Sequence, residues 1–307
     1  MPTADPDLET LAPIIRHVLH PSDFSDASRT AFVHALKAAL IAKGKLSLIH
    51  ESNNGDRDWS EFPSVRDTLE RWGLLPAGST PEAVSALGID IRKVIGRSPD
   101  PVQGVLHYLE DHETDLIVLA THHHGFDWLH RSVSEPIARK SREMTLFVPA
   151  NGQGFISPSD GSVALRNILI PIAESPPARP AIAGAARLVK QLGCEEGKFT
   201  LLHVGEDKPE AVTPRVQGWG WQKLFKKGYV VDLILETAQQ VNADLIVMST
   251  DGRNGFLDAV RGSHSERVLR HAPCPLLAIP EFSQGAAKIA KAATADWYRQ
   301  REKPLRR

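Results

Sequence analysis

A glycine-containing stretch near the C-terminus has the residue types and spacing that could bind a phosphate. After an apolar run that ends at Ser249, the chain places Gly252, nine further residues, and then Gly262 followed by a serine. Glycine lets a backbone approach an anion closely, and free N–H groups at a helix start attract negative charge. Arg253 and Arg261 could add charge-assisted contacts. The stretch predicts a phosphate site; the alternative is a turn that merely requires glycines.

The other side chains that could be reactive, histidines and a cysteine, are interpreted as structural. The glycine stretch lacks the lysine of a Walker A loop and the spacing of a Rossmann fingerprint. Residues 122–124 are consecutive histidines that cannot share one face, so no specific metal site is predicted. His50 and His203 end equivalent strands and are interpreted as architectural. Cys274 lies between two prolines and is expected to be buried rather than nucleophilic.

Composition excludes several classes of protein. The chain has 307 residues, of which 42% are hydrophobic and 24% charged, and its formal net charge is −1. Two domains of about 150 residues are expected, and an extended nucleic-acid surface is not. Two cysteines fit a reducing compartment, and the acidic, polar start is no signal peptide, so a cytoplasmic location is expected. No run of about 18 apolar residues occurs, so no membrane span is expected.

The chain contains two copies of one unit. Residues 16–21 (RHVLHP) resemble residues 166–171 (RNILIP), and the sequence DLIV at residues 115–118 recurs at residues 244–247. The separation in sequence between a segment and its repeat is smaller for the second matched pair than for the first. The second copy has therefore lost residues in its middle.

Each copy alternates apolar runs with segments of helical spacing, which predicts an α/β fold with a parallel sheet. Runs such as LIVLA are typical of strands that are buried on both faces. Ligands of such doubly wound sheets bind at the carboxyl ends of the strands. The predicted strands are residues 14–19, 45–50, 89–95, 116–120 and 144–149 in the first copy, and 168–172, 199–204, 245–249 and 275–280 in the second.

The predicted organisation is a first domain over residues 1–150, a linker at 151–163, a second domain at 164–282 and a basic tail at 283–307. In the second copy, residues 205–227 are interpreted as a short connection held by buried Trp219 and Trp221; a stacking role toward a ligand is the alternative. The tail is interpreted as an amphipathic helix that packs on the body or contacts an acidic partner or anionic surface.

The glycine stretch resembles that of the universal stress protein family, whose nucleotide-binding members carry G-x2-G-x9-G-[ST]. Only the first glycine differs, and it is Ser249 here. Residues 265–277 (SERVLRHAPCPLL) resemble the family's last helix and strand, and residues 18–25 (VLHPSDFS) resemble its first strand and turn. The resemblance covers residues 14–150 and 164–281. It implies two tandem domains of the adenine nucleotide alpha hydrolase-like fold, each with five mostly parallel strands, paired within the chain through their last strands.

Each copy departs from the family pattern. The first-strand aspartate that contacts the nucleoside is Asp23 in the first copy, whereas the second has Ala173 followed by Glu174. The small apolar residue beside adenine is Val204 in the second copy, but Glu51 holds that position in the first. In the first copy two glycines of the loop are also replaced, by His123 and Arg131, so that copy is interpreted as unable to hold ATP.

The resemblance therefore implies an adenine nucleotide, ATP before AMP or ADP, in the second copy. With no paired carboxylates, triad or general base evident, a binding module is favoured over an enzyme. The alternatives are a scaffold without nucleotide, or slow ATP hydrolysis or adenylyl transfer; a homodimer is also implied. The site residues that the resemblance implies are Pro171, Ala173, Val204, Met248, Ser249, Gly252, Arg253, Gly262, Ser263, His264 and Ser265.

Overall fold

Strands alternate with helices along both halves of the chain. The computed structural model describes residues 15–52, 59–121, 133–150, 154–206, 209, 211–250, 268–269 and 271–280. The strands of this part are β1 (His17–Pro21), β2 (Lys45–Glu51), β3 (Asp90–Gly96), β4 (Leu116–Thr121), β5 (Met144–Pro149), β6 (Asn167–Ile172), β7 (Gly197–Val204), β8 (Trp219–Lys226), β9 (Leu245–Thr250) and β10 (Leu276–Pro280).

The helices follow the apolar spacing of the sequence. Within the described ranges they are α1 (Asp26–Ala42), α2 (Val65–Arg71), α3 (Pro81–Ala86), α4 (Pro101–Asp111), α5 (Ser134–Ser141), α6 (Arg179–Gln191) and α7 (Val230–Gln240), with a short 3-10 turn at Trp59–Glu61.

The strands form one ten-stranded sheet in the order β3-β2-β1-β4-β5-β10-β9-β6-β7-β8. Neighbours within each half are parallel, and the halves join where β5 pairs antiparallel with β10, Leu146 opposite Leu277. The predicted doubly wound α/β class, with five strands in each half, is confirmed. The junction between β5 and β10 agrees with the pairing through last strands that the family resemblance implies.

Helices cover both faces because the central strands are apolar on both sides. All six residues of β4 and all six of β5 are buried. On one face the strands pack against α1 and α6, through residues such as Phe32 and Ile182. On the other face they pack against α4, α5 and α7, through residues such as Val105, Ile137 and Ile234. This two-sided burial explains why the strands read as continuous hydrophobic runs.

Polar side chains fix where the long helices of the first half begin. The Ser25 hydroxyl accepts a hydrogen bond from the backbone N–H of Ser28 at the start of α1. The Asp100 carboxylate accepts from the N–H groups of Val102 and Gln103 at the start of α4. Such caps satisfy donors that have no partner inside the helix. They place both helix starts at the carboxyl ends of the preceding strands.

The interpretation of residues 205–227 as a simple connection is wrong, because they contain β8. This edge strand pairs in parallel with β7 along its whole length. Trp219 is buried, whereas Phe225 on the same strand is 47% exposed. An edge strand has one unpaired side and tolerates polar residues, so the sequence WGWQKLFK lacks the continuous apolar run of a central strand. The short helix α3 was likewise not predicted.

The described part of the predicted linker, residues 154–163, packs against the first half. Phe155 and Ile156 are buried, and the Ile156 N–H donates to His34 Nε2 at 3.3 Å. The Trp72 indole N–H donates to the carbonyl oxygen of Pro158 at 3.2 Å. These contacts hold the segment against α1 and α2.

Several predictions fall on residues outside the described ranges. They concern the histidines at 122–124, the glycine stretch beyond Thr250 and the basic tail at 283–307. Among the helices that are described, none has both the length and the hydropathy that crossing a bilayer requires.

Candidate functional site

The predicted site residues of the second half meet at the carboxyl ends of three neighbouring strands. β6 lies between β7 and β9: the chain passes from β6 to β7 on one side, and after β8 it crosses to β9 on the other side. This is the switch point at which doubly wound sheets bind ligands. Ala173 follows β6, Val204 ends β7, and Met248 and Ser249 lie near the end of β9. We call these four residues the second-half crevice.

The other predicted site residues divide into two groups. Pro171 lies within β6, two residues before Ala173, and is half-buried. The remaining members of the set are not part of the described chain; these are Gly252, Arg253, Gly262, Ser263, His264 and Ser265.

The side chain of Ser249, which replaces the family's first glycine, makes a hydrogen bond to helix α6. Its hydroxyl oxygen accepts a hydrogen bond from the Ala181 N–H at 3.1 Å, in the first turn of α6. The residue before this helix, Ala178, provides no side-chain cap. Ser249 therefore caps α6 from a strand that lies 68 residues away in sequence, and the cap fixes α6 against the edge of the crevice.

Two histidines connect neighbouring strand ends in both halves. His203 Nδ1 lies 3.1 Å from the carbonyl oxygen of Ile172, so it joins the ends of β7 and β6. His50 Nδ1 lies 2.7 Å from the carbonyl oxygen of Ser22 and joins β2 to the turn after β1. Both histidines are buried. The geometry agrees with the architectural role that the sequence predicts for them.

The family's first-strand aspartate is present in the first half, but the start of α1 uses it. One oxygen of Asp23 accepts hydrogen bonds from the Ser25 N–H at 3.0 Å and from the hydroxyls of Ser25 and Ser28 at 2.6 Å. These contacts orient the carboxylate toward the helix start. In the second half, Ala173 and Glu174 at the corresponding place are exposed.

Aromatic side chains occupy the end of β1 and β2. The ring of Phe24 stacks on that of His50, with centroids 4.1 Å apart, and meets Trp59 edge-on at 5.2 Å. Phe24 is buried and has a positive φ of 63°. Phe62 completes the cluster, 5.5 Å from Phe24 between centroids. Asp23 and Ala173 are both exposed, so the two halves differ at the next residue, which is the buried Phe24 in the first half and the exposed Glu174 in the second.

Glu51 points away from the crevice of the first half. Its carboxylate accepts a hydrogen bond from the Ser98 N–H at 3.1 Å. It lies so close to Gly96 at the end of β3 and to Gly104 in α4 that a Cβ at either glycine would overlap it. Glu51 therefore binds the segment between β3 and α4.

Neither cysteine is suited to nucleophilic chemistry. Cys274 is buried, and this burial raises the pKa of its thiol to about 12. Burial also raises the pKa of the Cys194 thiol. Both thiols are therefore protonated at neutral pH. No group of three or more metal-ligating side chains occurs in the described ranges.

Sequence reasoning missed the aromatic cluster around Phe24 and the cap from Ser249 to Ala181. A signal existed for the cluster, since Phe24, Trp59 and Phe62 flank the ends of two predicted strands. No signal existed for the cap beyond Pro180, which is typical of a helix start.

Comparisons with known proteins agree with this architecture. The sequence model of the Universal stress protein family matches residues 15–149 and 221–280. A universal stress protein of Synechocystis sp. is 31% identical over 144 residues, which cover 40% of this chain and 90% of that protein. A universal stress protein of Methanocaldococcus jannaschii is 33% identical over 98 residues, which cover 31% of this chain and 53% of that protein.

The fold is also found in a solved structure. The crystal structure of a universal stress protein from Archaeoglobus fulgidus has a TM-score of 0.55 and 20% sequence identity, covering 86% of this chain and 98% of that one. At this identity the likeness concerns the fold alone. The family model, in contrast, matches more than half of the residues of this chain, and the chain therefore belongs to the universal stress protein family.

Proposed function

We propose that the chain is a regulatory binding module of the stress response that holds an adenine nucleotide, ATP first among the candidates, in its second half. The observation that carries this proposal is the contrast between the two crevices. After the family's aspartate position the first half places the buried ring of Phe24 among aromatic neighbours, whereas the second half has the exposed Glu174 there. A nucleoside needs an open crevice at the strand ends.

The chemistry of the second-half crevice suits a purine and a phosphate chain. Val204 and Met248 are half-buried apolar side chains at the ends of two strands that flank β6. The glycine stretch follows β9 in the sequence, and its backbone N–H groups are the proposed donors to the phosphate chain. An apolar floor beside backbone donors is the usual composition of a small-ligand site.

The missing first-strand aspartate predicts weak binding. A hydrogen-bonding carboxylate at this position is worth about 1–3 kcal/mol, so Ala173 reduces the affinity without removing the phosphate contacts. This loss suits a sensor that responds to nucleotide concentration more than one that holds nucleotide permanently.

The glycine stretch provides the direct test. We expect Gly262→Val to abolish the heat of MgATP binding in titration calorimetry, because a branched side chain keeps the phosphate away from the backbone. The matched control is Gly125→Val in the corresponding loop of the first half, which should bind MgATP like the unmodified chain. Equal losses in both variants would show that the site is assigned to the wrong half.

The first-strand position gives a second arm of the same experiment. Ala173→Asp restores the family's carboxylate and should tighten ATP binding by about tenfold, corresponding to roughly 1.4 kcal/mol. An unchanged affinity would mean that the nucleoside does not lie beside this residue.

A scaffold without nucleotide is the second candidate, and the bond between Ser249 and Ala181 favours it. The Ser249 hydroxyl accepts a hydrogen bond from the Ala181 N–H at the edge of the crevice, whereas the family has a glycine without a side chain at this position. Mass spectrometry of the denatured protein would detect co-purified ATP, ADP or AMP. Absence of all three, together with no thermal shift in millimolar ATP, would support the scaffold.

A further inference from the structure

A cavity lies between α1 and α6 on the face of the sheet where the two halves meet. Its volume is about 60 Å³. One water molecule needs roughly 10–15 Å³ of such space, and benzene fits an engineered cavity of roughly 150 Å³. The cavity is therefore larger than a water site but smaller than the benzene site, so it can enclose only part of a short aliphatic chain.

The walls of the cavity are mostly apolar and come from both halves. Met144 and Leu146 of β5, Leu277 of β10 and Phe155 of the linker contribute to them. None of the four residues of the second-half crevice lines this cavity. The two places in the fold are therefore distinct, and ligand binding in the cavity does not require a nucleotide in the crevice.

Two cations line this apolar space, and the more deeply buried one is Arg187 of α6. The residue is only 5% exposed, and its Nε and Nη1 atoms are buried without a hydrogen-bond partner in the described structure. Burial lowers the pKa of its guanidinium to about 10, so the group is still protonated at pH 7. A buried, unpaired cation is unfavourable by several kcal/mol unless an anion joins it.

The other polar groups of the cavity offer Arg187 no anion. Burial lowers the pKa of His34 to about 4, so this imidazole is neutral at pH 7. Its two ring nitrogens already contact the Thr30 carbonyl oxygen at 2.8 Å and the Ile156 N–H at 3.3 Å. Lys37 is a second cation, and its ammonium lies 5.8 Å from the centroid of the Trp72 ring. No acidic side chain of the described chain lines the cavity.

We propose that this cavity binds a small amphipathic carboxylate, whose head pairs with the Arg187 guanidinium and whose short aliphatic tail packs against Met144, Leu146 and Leu277. A planar guanidinium matches a carboxylate through two parallel hydrogen bonds. The apolar walls exclude a bare inorganic anion, which would lose its hydration without compensation. The ligand contacts both halves, so binding stabilises the junction between β5 and β10.

Titration calorimetry and thermal unfolding of the full chain with hexanoate test the proposal. Millimolar hexanoate should bind and raise the unfolding midpoint. Hexanamide has the same length without the charge, and acetate has the charge without the tail, so both should bind about tenfold or more weakly. No response to hexanoate, or an equal response to either relative, would overturn the proposal.

Variants assign the response to Arg187. Arg187→Met removes the charge at similar length; it should raise the midpoint of the free protein, because no unpaired cation remains buried, and should abolish the hexanoate response. Arg179→Met is the matched control, since Arg179 is an exposed arginine of the same helix, and it should respond like the unmodified chain. A hexanoate response that persists in Arg187→Met would refute the site.

A second change keeps the test decisive if Arg187→Met does not fold. Ala38→Leu adds side-chain volume to the α1 wall of the cavity and leaves Arg187 in place. It should weaken hexanoate binding about tenfold or more, since the tail would lose its space. An unchanged affinity in this variant would show that hexanoate binds elsewhere.

Discussion

Single side chains distinguish the two crevices. Phe24 and Asp23 are held by neighbouring groups in the first half, and in the second Ala173 is open while Ser249 caps α6. The replacements at Ala173 and Ser249 could be recognised from sequence because they fall at fixed positions of the family pattern. Their consequences could not, because each contact depends on where another element of the fold lies.

The cap from Ser249 leads to a prediction about stability. Ser249→Ala should lower the free energy of unfolding by about 1 kcal/mol, since the Ala181 N–H then loses its partner at the helix start. Urea unfolding measures the change. The control is Ser85→Ala on the exposed side of α3, which should change the free energy by less than about 0.5 kcal/mol; a similar loss in both would contradict the role given to Ser249.

The buried imidazole of His34 predicts a pH dependence. Burial lowers its pKa from 6.5 to about 4, so between these values the unfolded chain binds a proton that the folded protein excludes. The contribution to stability is complete above pH 6.5 and falls as the pH decreases toward 4, by up to about 3 kcal/mol.

Urea unfolding at a series of pH values tests this contribution. His34→Gln removes the titrating group, so the free energy of unfolding should change less steeply with pH between 4 and 6.5. The slope is informative even if the variant is less stable overall. An unaltered slope would show that His34 takes up its proton equally in the folded and unfolded states.

At the scale of elements, the sequence predicts central strands well and the edge strand poorly. Strands such as β4 are buried on both faces, so their residues alone mark them. β8 is recognisable only through its pairing with β7, and its exposed residues look like a loop. The packing of residues 154–163 against α1 and α2 was equally hidden, because glycine, serine and proline are common in linkers.

β8 gives a prediction at this scale. Trp219 is buried, and its indole N–H donates to the Cys194 carbonyl oxygen at 3.0 Å. Trp219→Ala should therefore lower the free energy of unfolding by about 3–5 kcal/mol. Phe225→Ala, at an exposed position near the end of the same strand, should lower it by less than about 1 kcal/mol. Chemical denaturation distinguishes them, and equal costs would argue against β8 as an edge strand in this register.

At the scale of the whole molecule, β5 and β10 make one sheet of two halves. Repeats in the sequence predicted the two halves, but the residues of β5 and β10 do not by themselves specify each other as partners. That pairing followed from the family resemblance and is present in the structure. Each hydrogen bond between β5 and β10 therefore joins the first half of the chain to the second.

The pairing of β5 with β10 leads to a prediction about the association of the isolated first half of the chain. A chain of residues 1–163 would expose the edge of β5, including Leu146 and Phe147, and unpaired strand edges associate. It should form dimers whose fraction rises with concentration, measured by light scattering after gel filtration. A half-length chain that remains monomeric at high concentration would contradict the importance of this edge.

The antiparallel direction of this junction has a geometric consequence. Since the strands of one half run opposite to those of the other, the two sets of loops that follow the strands emerge from opposite rims of the molecule. The second-half crevice therefore lies at one rim, and the aromatic cluster around Phe24 lies at the opposite rim.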